Sequence, residues 1–417
     1  MVNQLPISKA PVRRRSRTGL LALLLGALLI MVTACGGGGG GGAAKGGGDK
    51  AGDAKDAAQA ANTASQAVVT IAPEDGAKSV ATTGALKVSA AKGKLTTVTV
   101  KDDKGDPVDG KLAADGSTWQ PLQHLAGATK YKVHASAKDA DGRVSAKDIT
   151  FTTLVPQNTF IGYYTPEDKA TVGVGMPVSL NFTRGITDPE AVEKAITVTA
   201  DPAVPVEGHW FGNDRLDFRP EKYWAPGTKV TVKLNLDGVE GRPGVYGKQA
   251  KSFSFTIGRS QVSTVDAGKH TMKVVRDGKQ IKKIPISAGA PANTTYNGQM
   301  VISEKYAVTR MNGDTVGFGG EYDIPDVPHA MRLSSSGTFI HGNYWAAPGI
   351  FGSTNTSHGC VGLRDARGGG DSGTPAAWFY NSSLIGDVVV VKNSKDKTIA
   401  PDNGLNGWNL SWADWTK

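Results

Sequence analysis

Between residues 67 and 257, hydrophobic and polar positions alternate in short runs: Ala67–Ile71, Leu86–Ala90, Leu95–Lys101, Tyr131–Ala137, Ile149–Thr153, Val178–Phe182, Thr197–Ala200, Lys229–Leu234 and Ser252–Ile257. Gly/Asp/Pro turns separate them. Period-two alternation bounded by turn residues predicts half-buried strands, and strands at this spacing predict β-sandwiches. The stretch also repeats itself. Pro73-Glu74-Asp75-Gly76-Ala77 returns as Pro166-Glu167-Asp168-Lys169-Ala170, Ala128–Val133 as Gly227–Val232, and Ile149–Thr152 as Phe253–Thr256, at offsets of 93 to 104 positions. One immunoglobulin-sized sandwich fills such a period, so two in tandem are expected. Neither contains a cysteine, so neither carries an inter-sheet disulfide.

The pattern changes from residue 259. Thr271–Val275 and Gln280–Ile286 flank Arg276-Asp277-Gly278-Lys279, a hairpin signal. Short strands and Gly/Ser/Asn-rich loops follow, with one helix predicted over Thr374–Asn381, Pro375 in its first turn. Asp387–Lys392 reads as a buried closing strand. In the last residues Trp408, Trp412 and Trp415 are spaced as one helical stripe, expected to pack back on the domain before it. Trp119 and Trp210 are expected in the sandwich cores.

The N-terminal pattern is of another kind. Lys9, Arg13, Arg14, Arg15 and Arg17 precede the apolar run Leu20–Val32, which ends at Thr33-Ala34-Cys35. A basic region, a short apolar run and small residues before a cut site make a secretory signal. Val32-Thr33-Ala34-Cys35 resembles a bacterial lipobox, whose cysteine is lipidated and becomes the mature N-terminus. Residues 36–66 are mostly Gly, Ala, Lys, Asp and Ser, and behave as a flexible tether of roughly 30 Å root-mean-square span. This changes the meaning of the charge. The formal +9 comes from 47 Lys+Arg against 38 Asp+Glu; without the five leader cations the balance is 42 to 38. That excess is too small to support a nucleic-acid partner.

The chain has two cysteines, which excludes a disulfide-dense scaffold and a four-cysteine zinc site. With Cys35 committed to lipid, Cys360 is a lone thiol in Ser357-His358-Gly359-Cys360-Val361-Gly362, and His341 lies upstream in Phe339-Ile340-His341-Gly342. A thiol beside an imidazole suits nucleophilic catalysis, because the imidazole raises the thiolate fraction. Gly359 permits unusual φ, so the Gly359 and Cys360 N–H groups are expected to point together at an oxyanion. His341, at the end of an apolar strand, is the better-placed base; His358 is the second candidate. An inert buried cysteine is the bland alternative. A zinc site is another, but it lacks a fourth ligand, since Asp365 and Asp371 offer no firm spacing.

His341, the loop after it and Ser357-His358-Gly359-Cys360 resemble the signature of L,D-transpeptidases with a YkuD-type catalytic domain. The resemblance extends to Thr271–Ile286, Gly337–His341, Trp378-Phe379-Tyr380, Gly386–Val389 and Gly404–Trp415. With the lipobox and the sandwiches, the whole chain is similar to multidomain L,D-transpeptidases of actinobacteria. The resemblance implies a mostly β chain: leader 1–34, lipidated Cys35 and tether to 66, immunoglobulin-like domains 67–156 and 157–257, a β-rich catalytic domain 258–393 with few short helices, and a Trp-rich tail 394–417. It implies that Cys360 attacks a peptidoglycan tetrapeptide stem, expels the terminal D-alanine and passes the acyl group to another stem's amine, giving a 3→3 cross-link. His341 is then the base, with the carbonyl of Gly342, where serine is frequent in the family, orienting it. His358, Gly359 and Cys360 form the oxyanion pocket, with Ser357 in the same turn and Tyr322 from a loop over the site. Gly362 stands where the family often has asparagine, so an amide contact is expected to be lost, with Arg364 or Arg367 as replacement contacts. No cofactor is implied. The implied partners are donor and acceptor stems, carbapenem-type β-lactams as covalent inhibitors, and the membrane through the lipid, on the outer face of the cell membrane toward the wall. A carboxypeptidase using water as acceptor shares every one of these residues. A non-catalytic wall-binding spacer leaves the His341/His358/Cys360 group without a purpose.

Overall fold

The structure, a computed structural model, describes residues 64–417. The leader, Cys35 and most of the tether expected from the sequence lie outside the described residues. Among those described, no helix is long and apolar enough to cross a membrane.

Residues 68–152 form two facing sheets. One runs in the order Val68–Ala72, Lys87–Ala91, Thr118–Pro121, Gly110–Leu112; the other holds Lys94–Lys101, Lys130–Lys138 and Val144–Thr152. Strand Lys130–Lys138 shows the cause, since Tyr131, Val133, Ala135 and Ala137 alternate inward into one core with Trp119 and Phe151. A second pair of sheets follows, each of four strands. Thr171–Val172, Ala250–Ile257, Lys229–Asn235 and Ile196–Asp201 lie in one, and Glu207–Phe211, Arg215–Arg219, Val178–Phe182 and Gly162–Thr165 in the other. Trp210 is partly buried against this core. The sequence repeat has a physical counterpart: Asp75 accepts from the Thr150 N–H at 2.7 Å, and Asp168 accepts from the Ser254 N–H at 2.9 Å. Each acidic turn thus ties down the last long strand of its sandwich.

The C-terminal region is built on nine strands: β1 Gln261–Asp266, β2 Thr271–Arg276, β3 Lys279–Ser287, β4 Gly298–Val301, β5 Glu304–Asn312, β6 Asp323–Arg332, β7 Phe339–Asn343, β8 Val361–Arg364 and β9 Val388–Lys392. Their order across the sheet is β4-β9-β1-β2-β3-β8-β7-β6-β5. The β2–β3 hairpin turns through Asp277 at φ +47° and Gly278 at +78°, the two left-handed residues a two-residue turn requires. Only β9–β1 and β7–β8 run parallel. Helix α1, Pro375–Ser382, is capped by Thr374, whose side chain accepts from the Ala377 N–H, and buries Phe379 under the sheet.

The second sandwich is fused to this sheet by close backbone contact. The Gly173 N–H donates to the Ile385 carbonyl at 2.7 Å and the Gly175 N–H to the Gly386 carbonyl at 2.9 Å. A Cβ at Gly173 would lie 2.2 Å from the Asp387 nitrogen, so only glycine fits there. Val388 of β9 belongs to the sandwich core. The tail differs from the expected single stripe and single partner. Residues Gly407–Asn409 form a 3-10 turn and Trp412–Trp415 a separate short helix, because extended Leu410 and the N-cap Ser411 intervene. All three tryptophans still converge, on Arg219 of the second sandwich, at 4.7, 5.4 and 4.2 Å from the ring centres. Arg219 is buried, and burial lowers its pKa to about 10. Meanwhile Asn406 and Asn409 bond to Val301 and Gln299 of the C-terminal sheet. The tail therefore wedges between two domains.

Candidate active site

The site lies where β7 and β8 run side by side. In their register His341 stands across from Gly362 and Asn343 from Arg364. Cys360 stands immediately before β8, two positions from Gly362, the residue that pairs with His341. A parallel pair joined by a long loop thus sets the strand that carries His341 beside the strand that follows Cys360.

His341 is buried, and its ring lies parallel to Trp345 with centres 5.7 Å apart. Its Nδ1 is 2.9 Å from the Gly342 carbonyl, which can only accept, so Nδ1 carries the proton and Nε2 the lone pair. Burial pulls its pKa below the ordinary histidine value, against the raising effects of the Gly342 bond and the Asp365 charge. The imidazole is thereby neutral at neutral pH and ready to accept a proton. The Cys360 thiol donates to the Gly337 carbonyl at 3.6 Å. Burial pushes the thiol up to about 11, with only partial relief from a backbone hydrogen bond at Phe339 and the Arg332 charge. This corrects the expectation of a raised thiolate fraction: in this arrangement Cys360 rests as a thiol. No hydrogen bond links it to His341 among the described residues.

The surrounding turn also departs from expectation. The Gly359 N–H donates to Ser357 Oγ at 3.2 Å, and Ser357 Oγ donates to the Cys360 carbonyl at 2.6 Å. Ser357 is a clamp on the turn, and the Gly359 N–H is spent on it rather than aimed at substrate. Gly359 itself stands at φ +112°, a backbone conformation that disfavours any side chain. The His358 imidazole bonds to Glu321 at 3.0 Å and lies against Phe318 and Tyr322, at 5.3 and 4.9 Å. It therefore secures the loop 313–322 between β5 and β6 and is not placed as a second base. Tyr322 ends that loop. Desolvation, then the nearby Cys360 and Glu321 charges, raise it to about 12, so its hydroxyl stays a donor. The loop tip reaches the site through Val316, which a Cβ at Gly337 would meet at 2.5 Å.

Gly362 does not leave an empty place for an amide. A Cβ there would lie 3.4 Å from Asn343 Nδ2, so an amide approaches from the neighbouring strand, while Asn343 Oδ1 accepts from the Ala346 N–H at 3.0 Å. Arg364 is exposed on β8 and unpaired among the described residues; Arg367 bonds to Asp326 at 3.1 Å. Behind Gly342 lies a group that sequence reading did not foresee. Asp365 accepts from Thr374 Oγ1 and from its neighbour's N–H, each at 2.8 Å, and pairs with His329 Nδ1 at 2.8 Å. By its sequence Asp365 is only a poorly spaced zinc-ligand candidate, and no sequence signal points to His329.

Residues 260–391 match the family described as L,D-transpeptidase catalytic domain, and residues 77–240 match bacterial Ig domain. The chain is 35% identical over 354 residues to L,D-transpeptidase 2 of Mycobacterium tuberculosis, covering 83% of each chain. It is 32% identical over 356 residues to L,D-transpeptidase 5 of the same organism, covering 83% of this chain and 76% of that one. Among solved structures it is similar to L,D-transpeptidase 3 of M. tuberculosis in complex with a faropenem-derived adduct. That match has a TM-score of 0.45 and 27% identity, over 56% of this chain and 98% of the other. At the identity and coverage shared with L,D-transpeptidase 2, the chain belongs to the L,D-transpeptidases, a family of acyltransferases.

Proposed function

We propose that the protein is a peptidoglycan L,D-transpeptidase working through a thioester on Cys360. The observation that carries this is the parallel pairing of β7 with β8, which starts right after Cys360, together with a neutral His341 whose Nδ1 is committed to Gly342 and whose Nε2 is left to take a proton. The thiol gives up its hydrogen bond to Gly337 as substrate enters, and passes its proton to Nε2 while Sγ bonds to the carbonyl carbon of the stem's third residue. The Cys360 N–H and the Tyr322 hydroxyl hold the resulting oxyanion. The C–N bond to D-alanine then breaks, and the imidazolium returns its proton to the leaving amine. A second stem's side-chain amine attacks the thioester, His341 takes its proton and gives it to sulfur, and a 3→3 cross-link forms. The exposed Trp345 face beside His341 suits the approach of that second stem.

A β-lactam of the carbapenem type presents a strained carbonyl to the same sulfur and forms a stable acyl-enzyme. We place the protein outside the cell membrane, held by lipid on Cys35; Cys35→Ser is expected to abolish labelling by a fatty-acid analogue, and persistent labelling would refute the anchor. The activity is tested by incubating enzyme with a disaccharide-tetrapeptide. Accumulation of 3→3 dimer with D-alanine release is expected. Tripeptide without dimer would instead make the enzyme a carboxypeptidase.

A further inference from the structure

A general base gains from a negative charge that steadies it once protonated, and in a Ser-His-Asp arrangement a carboxylate bonds the imidazole directly. His341 has no such partner: its Nδ1 faces a neutral peptide carbonyl. One peptide further back, however, stands a carboxylate. The Asp365 side chain is fully buried, and its Oδ2 is so close to Gly342 that an added Cβ would lie 1.9 Å from it. Glycine at 342 is what makes room for it. Buried carboxylates are costly unless fully bonded, and this one accepts from Thr374, from the Ala366 N–H and from His329.

His329 is placed for this with some backbone strain. It has φ +48° within β6, where residues 327–331 are buried without alternation, and its ring rests on Tyr380 at 5.1 Å.

We propose that Asp365 is a positioning residue for His341, its buried carboxylate acting through the Gly342 peptide as the anionic partner that the base lacks by direct bond. His329 and Thr374 hold that carboxylate in place. When Nε2 takes the Cys360 proton, the charge at Asp365 stabilises the imidazolium and keeps the Gly342 carbonyl aimed at Nδ1. Asp365 is the charge that acts on the imidazole, and the cations nearby are engaged elsewhere: Arg367 is bound to Asp326, Lys305 lies over the Tyr380 ring, and Arg332 acts on Cys360. The proposal rests on His341 being the base.

The test is the pH profile of Cys360 acylation by a carbapenem, with thermal unfolding followed in parallel. Asp365→Asn keeps an acceptor for Thr374 and removes the charge. It is expected to move the acid limb to lower pH by about one unit and to lower the plateau roughly tenfold. A lower plateau with an unmoved limb, or no change at all, overturns the proposal, because a merely structural group leaves the limb where it was. If Asp365→Asn does not fold, Gly342→Ala displaces the carboxylate by its methyl. The His341 titration, followed by NMR, is then expected to fall similarly, and an unmoved titration overturns the proposal. His341→Gln separates the two assignments. If the acid limb survives that change, His341 is not the base and both fall. If it vanishes while Asp365→Asn is silent, only the role of Asp365 fails.

Discussion

Two regions meet at Cys360, and they are held by different physics. The floor, β7 and β8 with the residues behind them, is fixed by ladder register and by buried hydrogen bonds to His341, Asn343 and Asp365. The loop 313–322 above it is fixed by ring contacts of Phe318 and Tyr322 with His358 and by a half-exposed hydrogen bond between His358 and Glu321. Buried bonds are expensive to break, whereas exposed pairs contribute up to about 1 kcal/mol. The floor thus suits the proposed chemistry, and the loop the proposed admission of the stem.

That contrast is broken most severely at the floor. His341→Gln is expected to reduce acylation by about three orders of magnitude, measured as the second-order rate with a carbapenem. In the native enzyme the acid limb is expected below the ordinary histidine value of about 6.5, because burial favours neutral imidazole, so activity falls only as pH drops through that lowered pKa. Because the thiol is pushed up to about 11, alkylation of Cys360 by iodoacetamide should keep accelerating above pH 9; a plateau near neutrality would show a preformed thiolate.

At the loop the effects shrink. Tyr322→Phe removes one proposed oxyanion donor and is expected to lower kcat by roughly a hundredfold, at the lower end for such donors. Glu321→Gln loosens the tie to His358 and is expected to raise KM by less than about fivefold, leaving kcat near its native value. A kcat loss at Glu321 as large as that at Tyr322 would mean that the loop takes part in the chemistry.

The same contrast explains what was legible beforehand. The longer strands of both sandwiches and the β2–β3 hairpin were visible because alternation and turn chemistry are local, whereas short strands such as Gly110–Leu112, Gly162–Thr165 and Arg215–Arg219 were not. Pro375 likewise marked α1 to within a residue at each end, Thr374 proving to be its cap rather than its first residue. His341 and Cys360 were visible because their residue types and spacing are specific. What His358 and Ser357 actually touch was not. Glu321 lies 37 positions from His358, and the clamp made by Ser357 depends on how the turn closes. The His329–Asp365 pair spans 36 positions and depends on a left-handed residue inside a strand, which alternation does not announce. The split of the tryptophan stripe was equally hidden, since one extended residue, Leu410, decides it.

The central claim is that the lone thiol of the described residues is the nucleophile and that His341, on the strand paired with β8, activates it. Intact-protein mass spectrometry after exposure to a carbapenem tests this most directly. The native enzyme is expected to gain the mass of one opened inhibitor, located to the peptide bearing Cys360, and Cys360→Ala to gain nothing. An adduct of the same mass on folded Cys360→Ala, or none on the native enzyme, would contradict it.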